Sequence, residues 1–219
     1  MFKQISKNIF VLFGENYSCN CYLLKSTSSN ALIDSGLPSS LLSIKEFLEA
    51  QKVKPESTET ILHTHGHLDH FGADLLFKKA KIRMDWFDAS FVEKRDEQFT
   101  AFTFFPASSS FPKISSYLKE GEIISIPPFK LKVISTPGHT KGSTCFLEEK
   151  QKILFSGDTL FKKSIGRTDL PSGSIEDMRS SIQKLEKLKF SILCPGHGEI
   201  LEGKELQKKN FAIAKELLK

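Results

Sequence analysis

His63-Thr64-His65-Gly66-His67-Leu68-Asp69-His70 carries four of the chain's six histidines and an aspartate within eight residues. Neutral imidazole and carboxylate are the ordinary protein ligands of zinc and related divalent cations. Residues two apart in an extended or turning backbone point the same way, so His65 and His67 can reach one ion. Asp69 and His70, at the expected start of a helix, can face a neighbouring ion. The segment follows Thr60-Ile61-Leu62, which reads as a short buried strand, and α/β proteins place their sites at such strand ends. His63 stands one step ahead of the set and points away from it, so it reads as a supporting or packed residue rather than a ligand.

The other two histidines, His139 and His197, each follow a Pro-Gly pair at the end of a predicted strand. Glycine there permits a sharp turn that aims the imidazole across the sheet end, and each would complete one ion's set. Asp158 follows the predicted strand at Ile153-Leu154-Phe155, and its two oxygens suit a bridge between two cations. A lone histidine is usually an ordinary core or surface residue. Five histidines and two aspartates in mutually consistent strand-end turns read differently, as a metal site.

Outward from these turns, the N-terminal third predicts strands over Asn8–Phe13, Asn20–Leu24 and Ala31–Asp34, then a helix over Ser39–Gln51 capped by Ser39 or Ser40. Phe71–Lys79 reads as helical and Lys81–Met84 as a strand. The Phe-rich stretch Trp86–Lys119 has no clean period, and residues 85–120 are taken as helical and loop pieces. They form either an insertion or lid over the mouth of a site, or a packing of Phe87, Phe91, Phe99, Phe102, Phe104, Phe105 and Phe111 among themselves. The second half repeats the rhythm, with strands at Glu122–Ile126, Phe129–Ser135, Thr144–Leu147, Lys152–Ser156 and Ser191–Cys194 and helices at Ile175–Leu188 and Lys204–Leu218. Strands then helix, twice, predicts two packed sheets with helices outside, in one domain over 1–219.

The chain has 219 residues, 39% of them hydrophobic, and a net charge of +5. That composition excludes a disordered or collagen-like chain. No apolar run approaches the ~20 residues that span a bilayer, and no leader is read at the start, so a cytoplasmic location and no membrane partner are expected. Lysines are interspersed with glutamates, and no basic stripe or nucleic-acid module is found, so no nucleic-acid partner is expected. Cys19, Cys21, Cys145 and Cys194 are too few and scattered for a disulfide framework and read as small buried thiols.

The motifs Leu32-Ile33-Asp34-Ser35-Gly36, Thr64 to His70, Thr136-Pro137-Gly138-His139-Thr140, Ser156-Gly157-Asp158-Thr159-Leu160-Phe161 and Pro195-Gly196-His197-Gly198 together resemble the metallo-β-lactamase superfamily, in particular its glyoxalase II-like branch. The resemblance spans nearly the whole chain. It implies an α+β fold, an αββα four-layer sandwich, with two divalent ions between the sheet edges. One ion falls to His65, His67 and His139, the other to Asp69, His70 and His197, with Asp158 bridging. Zinc leads by ligand type, and iron and manganese accept the same set. Asp34 matches a family aspartate expected to lie buried behind the metal turn. Gly166-Arg167-Thr168-Asp169 is similar to a segment of glyoxalase II-like hydrolases, where Arg167 and Asp169 either form an ordering ion pair or meet substrate. Only 22 residues follow His197, room for one helix, so the sequence resembles the short single-domain relatives.

The activity implied is hydrolysis of a small-molecule thioester, such as S-lactoylglutathione, or ester by metal-bound hydroxide, with Asp69 as the catalytic group that orients the nucleophile or passes a proton. Rival readings on the same fold are an iron-dependent persulfide dioxygenase and a non-catalytic metal-binding domain. The missing extra domains disfavour a nucleic-acid-cleaving enzyme, and Asp158 disfavours a β-lactamase.

Overall fold

The structure is a computed structural model that describes residues 1–101 and 111–219. The first sheet runs β1 (Phe2–Ser6), β2 (Ile9–Leu12), β3 (Cys21–Leu24), β4 (Asn30–Ile33), β5 (Thr58–Leu62), β6 (Lys81–Asp85) and β7 (Ile114–Leu118) side by side in that order. β1 to β4 form an antiparallel meander, and β4 to β7 pair in parallel. The second sheet has the order β15 (Leu201–Glu202), β14 (Ile192–Pro195), β11 (Ile153–Gly157), β10 (Thr144–Glu148), β9 (Phe129–Ser135) and β8 (Ile123–Ile126). A small hairpin, β12 (Leu160–Phe161) with β13 (Ser164–Ile165), follows β11.

The central strands are buried on both faces, as all four residues of β3 and all five of β10 and β11 show. Strands covered on both sides read as continuous apolar runs, and two layers are needed to cover them. Val11, Tyr22, Ile33, Phe129, Phe146 and Phe155 interdigitate between the sheets. On the outer face of the first sheet Leu23, Leu32 and Ile61 meet Ile44, Phe47 and Leu48 of α1 (Leu41–Ala50). Beyond the second, Leu154 and Leu193 meet Met178, Ile182 and Leu185 of α4 (Ile175–Glu186) and Phe211 of α5 (Lys204–Glu216). The order is helix, sheet, sheet, helix, the expected αββα sandwich.

The topology sets the site. β10 is antiparallel to both β9 and β11, and β14 is parallel to β11. Strands β9, β11 and β14 therefore run the same way, and the turns bearing His139, Asp158 and His197 emerge at one end. The turn after β5 reaches that end from the other sheet, where Thr144 N–H donates to Thr64 O at 2.8 Å.

Three local expectations fail. The predicted helix over Phe71–Lys79 is a single turn, α2 (Leu68–Phe71), followed by a 3-10 turn at Asp74–Leu76. Gly72 packs so close to Pro38 that a Cβ would lie 2.5 Å from its Cδ, and Asp74 is drawn inward to His63. Strands β1 and β7 escaped the sequence reading, because the first is largely exposed and the second buries only its two ends. Ser40 precedes α1 without capping it; its hydroxyl bonds Ser18 Oγ instead, at 2.9 Å. Of the Phe-rich stretch, α3 (Trp86–Lys94) and β7 are described, while Phe102, Phe104 and Phe105 lie outside the described residues.

Candidate metal centre

Seven side chains named from sequence, His65, His67, Asp69, His70, His139, Asp158 and His197, converge at the shared sheet end. His67 Nδ1 lies 3.0 Å from His65 Nε2 and 3.0 Å from His139 Nε2. His197 Nε2 lies 3.1 Å from Asp69 Oδ2. Asp158 stands between the groups, with Oδ1 3.4 Å from His70 Nε2 and Oδ2 3.6 Å from both His139 Nε2 and His197 Nε2. Gly196 makes this approach feasible, since a Cβ there would sit 2.1 Å from Asp158 Oδ1 and 2.9 Å from His70 Cε1.

Counting protons shows what the cluster lacks. Burial raises the Asp34 carboxyl, but His70 and His63 outweigh it and hold it at about 2, so it is ionised and only accepts. Asp34 takes Thr64 N–H at 2.9 Å, Thr64 Oγ1–H at 2.8 Å and His70 Nδ1–H at 2.9 Å. With its one proton spent on Asp34, Thr64 Oγ1 accepts from His65 Nδ1 at 3.1 Å. His139 Nδ1 donates to Arg167 O at 2.8 Å. The inward nitrogens of His65 and His139 therefore present lone pairs, and Asp158 presents anionic oxygens beside His70 Nε2. His70 Nε2 and Asp158 Oδ1 are buried and make no hydrogen bond. Lone pairs and carboxylate oxygens gathered this closely with too few donors fit divalent cations, for which His and Asp are natural ligands.

The electrostatics differ between the two groups: burial opposes charge on His70 and His197, but Asp34 and Asp158, with Asp69, outweigh it and raise both. Burial, then repulsion among neighbouring imidazoles, lowers His65 well below its ordinary pKa; burial likewise brings His67 down to about 3 and lowers His139. All three stay neutral, the ligating form. Burial alone would raise Asp69 and Asp158, yet the surrounding imidazoles overcome it and lower both. The described residues include groups close enough to share an ion, among them His65 with His67 and His139, and Asp69 with His70 and His197; His65 with His70 and Asp158 links them. Cys19 also approaches Asp34 and His70, but burial pushes its thiol up, and those neighbours are already engaged with each other.

His63 belongs to the support. Its Nε2 contacts Asp74 Oδ2 at 2.8 Å and its Nδ1 lies 3.4 Å from Asp34 Oδ1. Burial disfavours its charge, but Asp74 and Asp34 more than compensate and raise it to about 9. Arg167 forms a two-pronged pair with Asp169 at 2.9 and 2.8 Å on an exposed loop. The centre opens on a cavity of about 540 Å³ walled by Tyr17, Ala101, Arg167 and Leu170. Phe99, 6.4 Å from His67, stacks on Phe91 at 4.0 Å, and Phe91 touches Phe87 at 5.2 Å. The aromatic stretch thus both packs on itself and borders the centre. Sequence reading missed Asp88 on α3, whose importance shows only in three dimensions.

The family model for the metallo-beta-lactamase superfamily matches residues 14–197. A probable metallo-hydrolase of Methanocaldococcus jannaschii is 35% identical over 198 residues, covering 88% of this chain and 93% of that protein. Hydroxyacylglutathione hydrolase GloC of Haemophilus influenzae is 33% identical over 222 residues, covering 95% of this chain and 99% of its own. Among solved structures, TTHA1623 in a di-iron-bound form superposes with a TM-score of 0.75 at 26% identity, covering 92% of this chain and 98% of that one.

Proposed function

This chain belongs to the metallo-β-lactamase superfamily, and from that premise we propose that it is a hydrolase of the glyoxalase II type that cleaves a small thioester or ester with two divalent cations bound. The observation that carries the reading is the pair of His/Asp groups joined through Asp158 at the floor of a substrate-sized cavity. The 33% identity to hydroxyacylglutathione hydrolase GloC along nearly both lengths supports the thioester branch.

His65, His67 and His139 would hold one cation and Asp69, His70 and His197 the other, with Asp158 shared. Bound there, the cations supply Lewis acidity and make hydroxide available from water near neutral pH. The chain's own residues do the rest. Asp34 and Arg167 O fix the ring orientation of His70 and His139 through their Nδ1 protons. Asp69, 14% exposed beside His197, would orient the attacking water and hold a proton between attack and departure of the thiol or alcohol. Tyr17, Ala101 and Leu170 bound the space in which the acyl group sits.

The test is hydrolysis of S-lactoylglutathione by zinc-, iron- and manganese-loaded protein, with Asp69→Asn beside the wild type. Turnover that falls on the order of 100-fold or more in the variant is expected, as for loss of one transition-state contact. Oxygen uptake with glutathione persulfide and no thioester cleavage would instead establish the dioxygenase.

A further inference from the structure

One fully buried carboxylate outside the ligand set has no cation beside it among the described residues. Asp88 sits on α3, 0% exposed. All three of its hydrogen bonds go to the two turns that carry the three-histidine group. Oδ2 accepts from Gly66 N–H at 2.9 Å and from Thr140 Oγ1 at 2.7 Å, and Oδ1 accepts from Gly142 N–H at 2.9 Å. Gly66 separates His65 from His67, and Thr140 follows His139 directly. The two glycines make room for the helix: a Cβ on Gly66 would lie 3.1 Å from Asp88 Cβ, and one on Gly142 2.4 Å from Asp88 Oδ1.

An unpaired buried carboxylate is costly to a fold. Burial accordingly raises this carboxyl to about 6, with the three donors pulling the other way. An amide of the same shape would avoid that cost but could not serve all three donors, because its NH2 would confront either Gly142 N–H or the Gly66 and Thr140 pair. Serving donors on two separate turns is what the carboxylate alone achieves here.

We propose that Asp88 is a positioning residue that clasps the His65–His67 turn to the His139 turn and thereby sets the affinity of the three-histidine group for a divalent cation, without touching the ion. The proposal rests on the metal-site reading above. The test is calorimetric titration of the chelator-stripped full chain with zinc, for wild type, Asp88→Asn, Thr140→Val and His139→Ala. Two ions are expected on the wild type. Asp88→Asn should bind one as the wild type does and the other ~10–100-fold more weakly, as removal of an outer partner does, and the weakened ion should be the one lost in His139→Ala. Thr140→Val, lacking one of the three bonds, should weaken the same ion less. General damage to the fold would weaken both ions alike and would overturn the proposal. So would two ions held with wild-type affinity in Asp88→Asn, or in Thr140→Val should Asp88→Asn fail to fold. A wild type that binds no cation would refute the metal reading first, and this proposal with it.

Discussion

Asp158 is the side chain on which the two groups depend, because its two oxygens face different imidazoles within 3.6 Å. Asp158→Ala should therefore lose at least one bound ion, measured by elemental mass spectrometry, and on the order of 100-fold or more of thioesterase activity, since outer partners alone cost ~10–100-fold. A fully loaded, fully active variant would contradict the assignment. Asp88 adds a stability signature. Its folded pKa, about 6, lies above the ordinary aspartate value of 3.8 because burial penalises the charge. Folding thus favours the protonated form, and the stability this gives is present below the unfolded pKa and lost as pH rises towards the folded one. Thermal melts of cation-free protein should show wild type losing stability relative to Asp88→Asn between about pH 4 and 6; parallel pH profiles for the two would argue against it. The candidate ligands were legible residue by residue, because each is a His or Asp in a marked turn. Asp88 was not, since nothing local distinguishes it from any helix-surface aspartate until the two turns fold over it.

At the scale of elements, the helices that periodicity revealed are those with one buried face. α1 buries Ile44, Phe47 and Leu48 and leaves Leu42 68% exposed. Phe47→Ala should cost ~3–5 kcal/mol in denaturant unfolding, against less than ~0.5 kcal/mol for Leu42→Ala; equal costs would mean the helix docks differently. Segments failed where that signal is absent. β1 is too exposed to alternate, β7 buries only Ile114 and Leu118, and the stretch after His70 is bent by its contacts with Pro38 and His63 rather than by its own propensity. Turns behave similarly. Gly196→Ala places a Cβ 2.1 Å from Asp158 Oδ1, so we expect a folded protein by circular dichroism whose ion content drops; unchanged content would show that the turn can yield.

For the whole molecule, the fold explains why distant sequence segments meet. β5 in one sheet and β9, β11 and β14 in the other all end at a common edge, and seven ligand-type side chains arrive there from four turns. The sandwich was readable from the strands-then-helix rhythm taken twice, while the cavity walls at Tyr17 and Leu170 were not, since they depend on how loops from both halves come together. No described helix is long and apolar enough to cross a membrane. The central claim is that two cations and a thioester meet at this edge. Metal content of the purified protein, measured alongside S-lactoylglutathione hydrolysis, tests it most directly. The account predicts two ions per chain and thioester cleavage that stops on chelation and returns on reloading; a single iron per chain with no cleavage would contradict it.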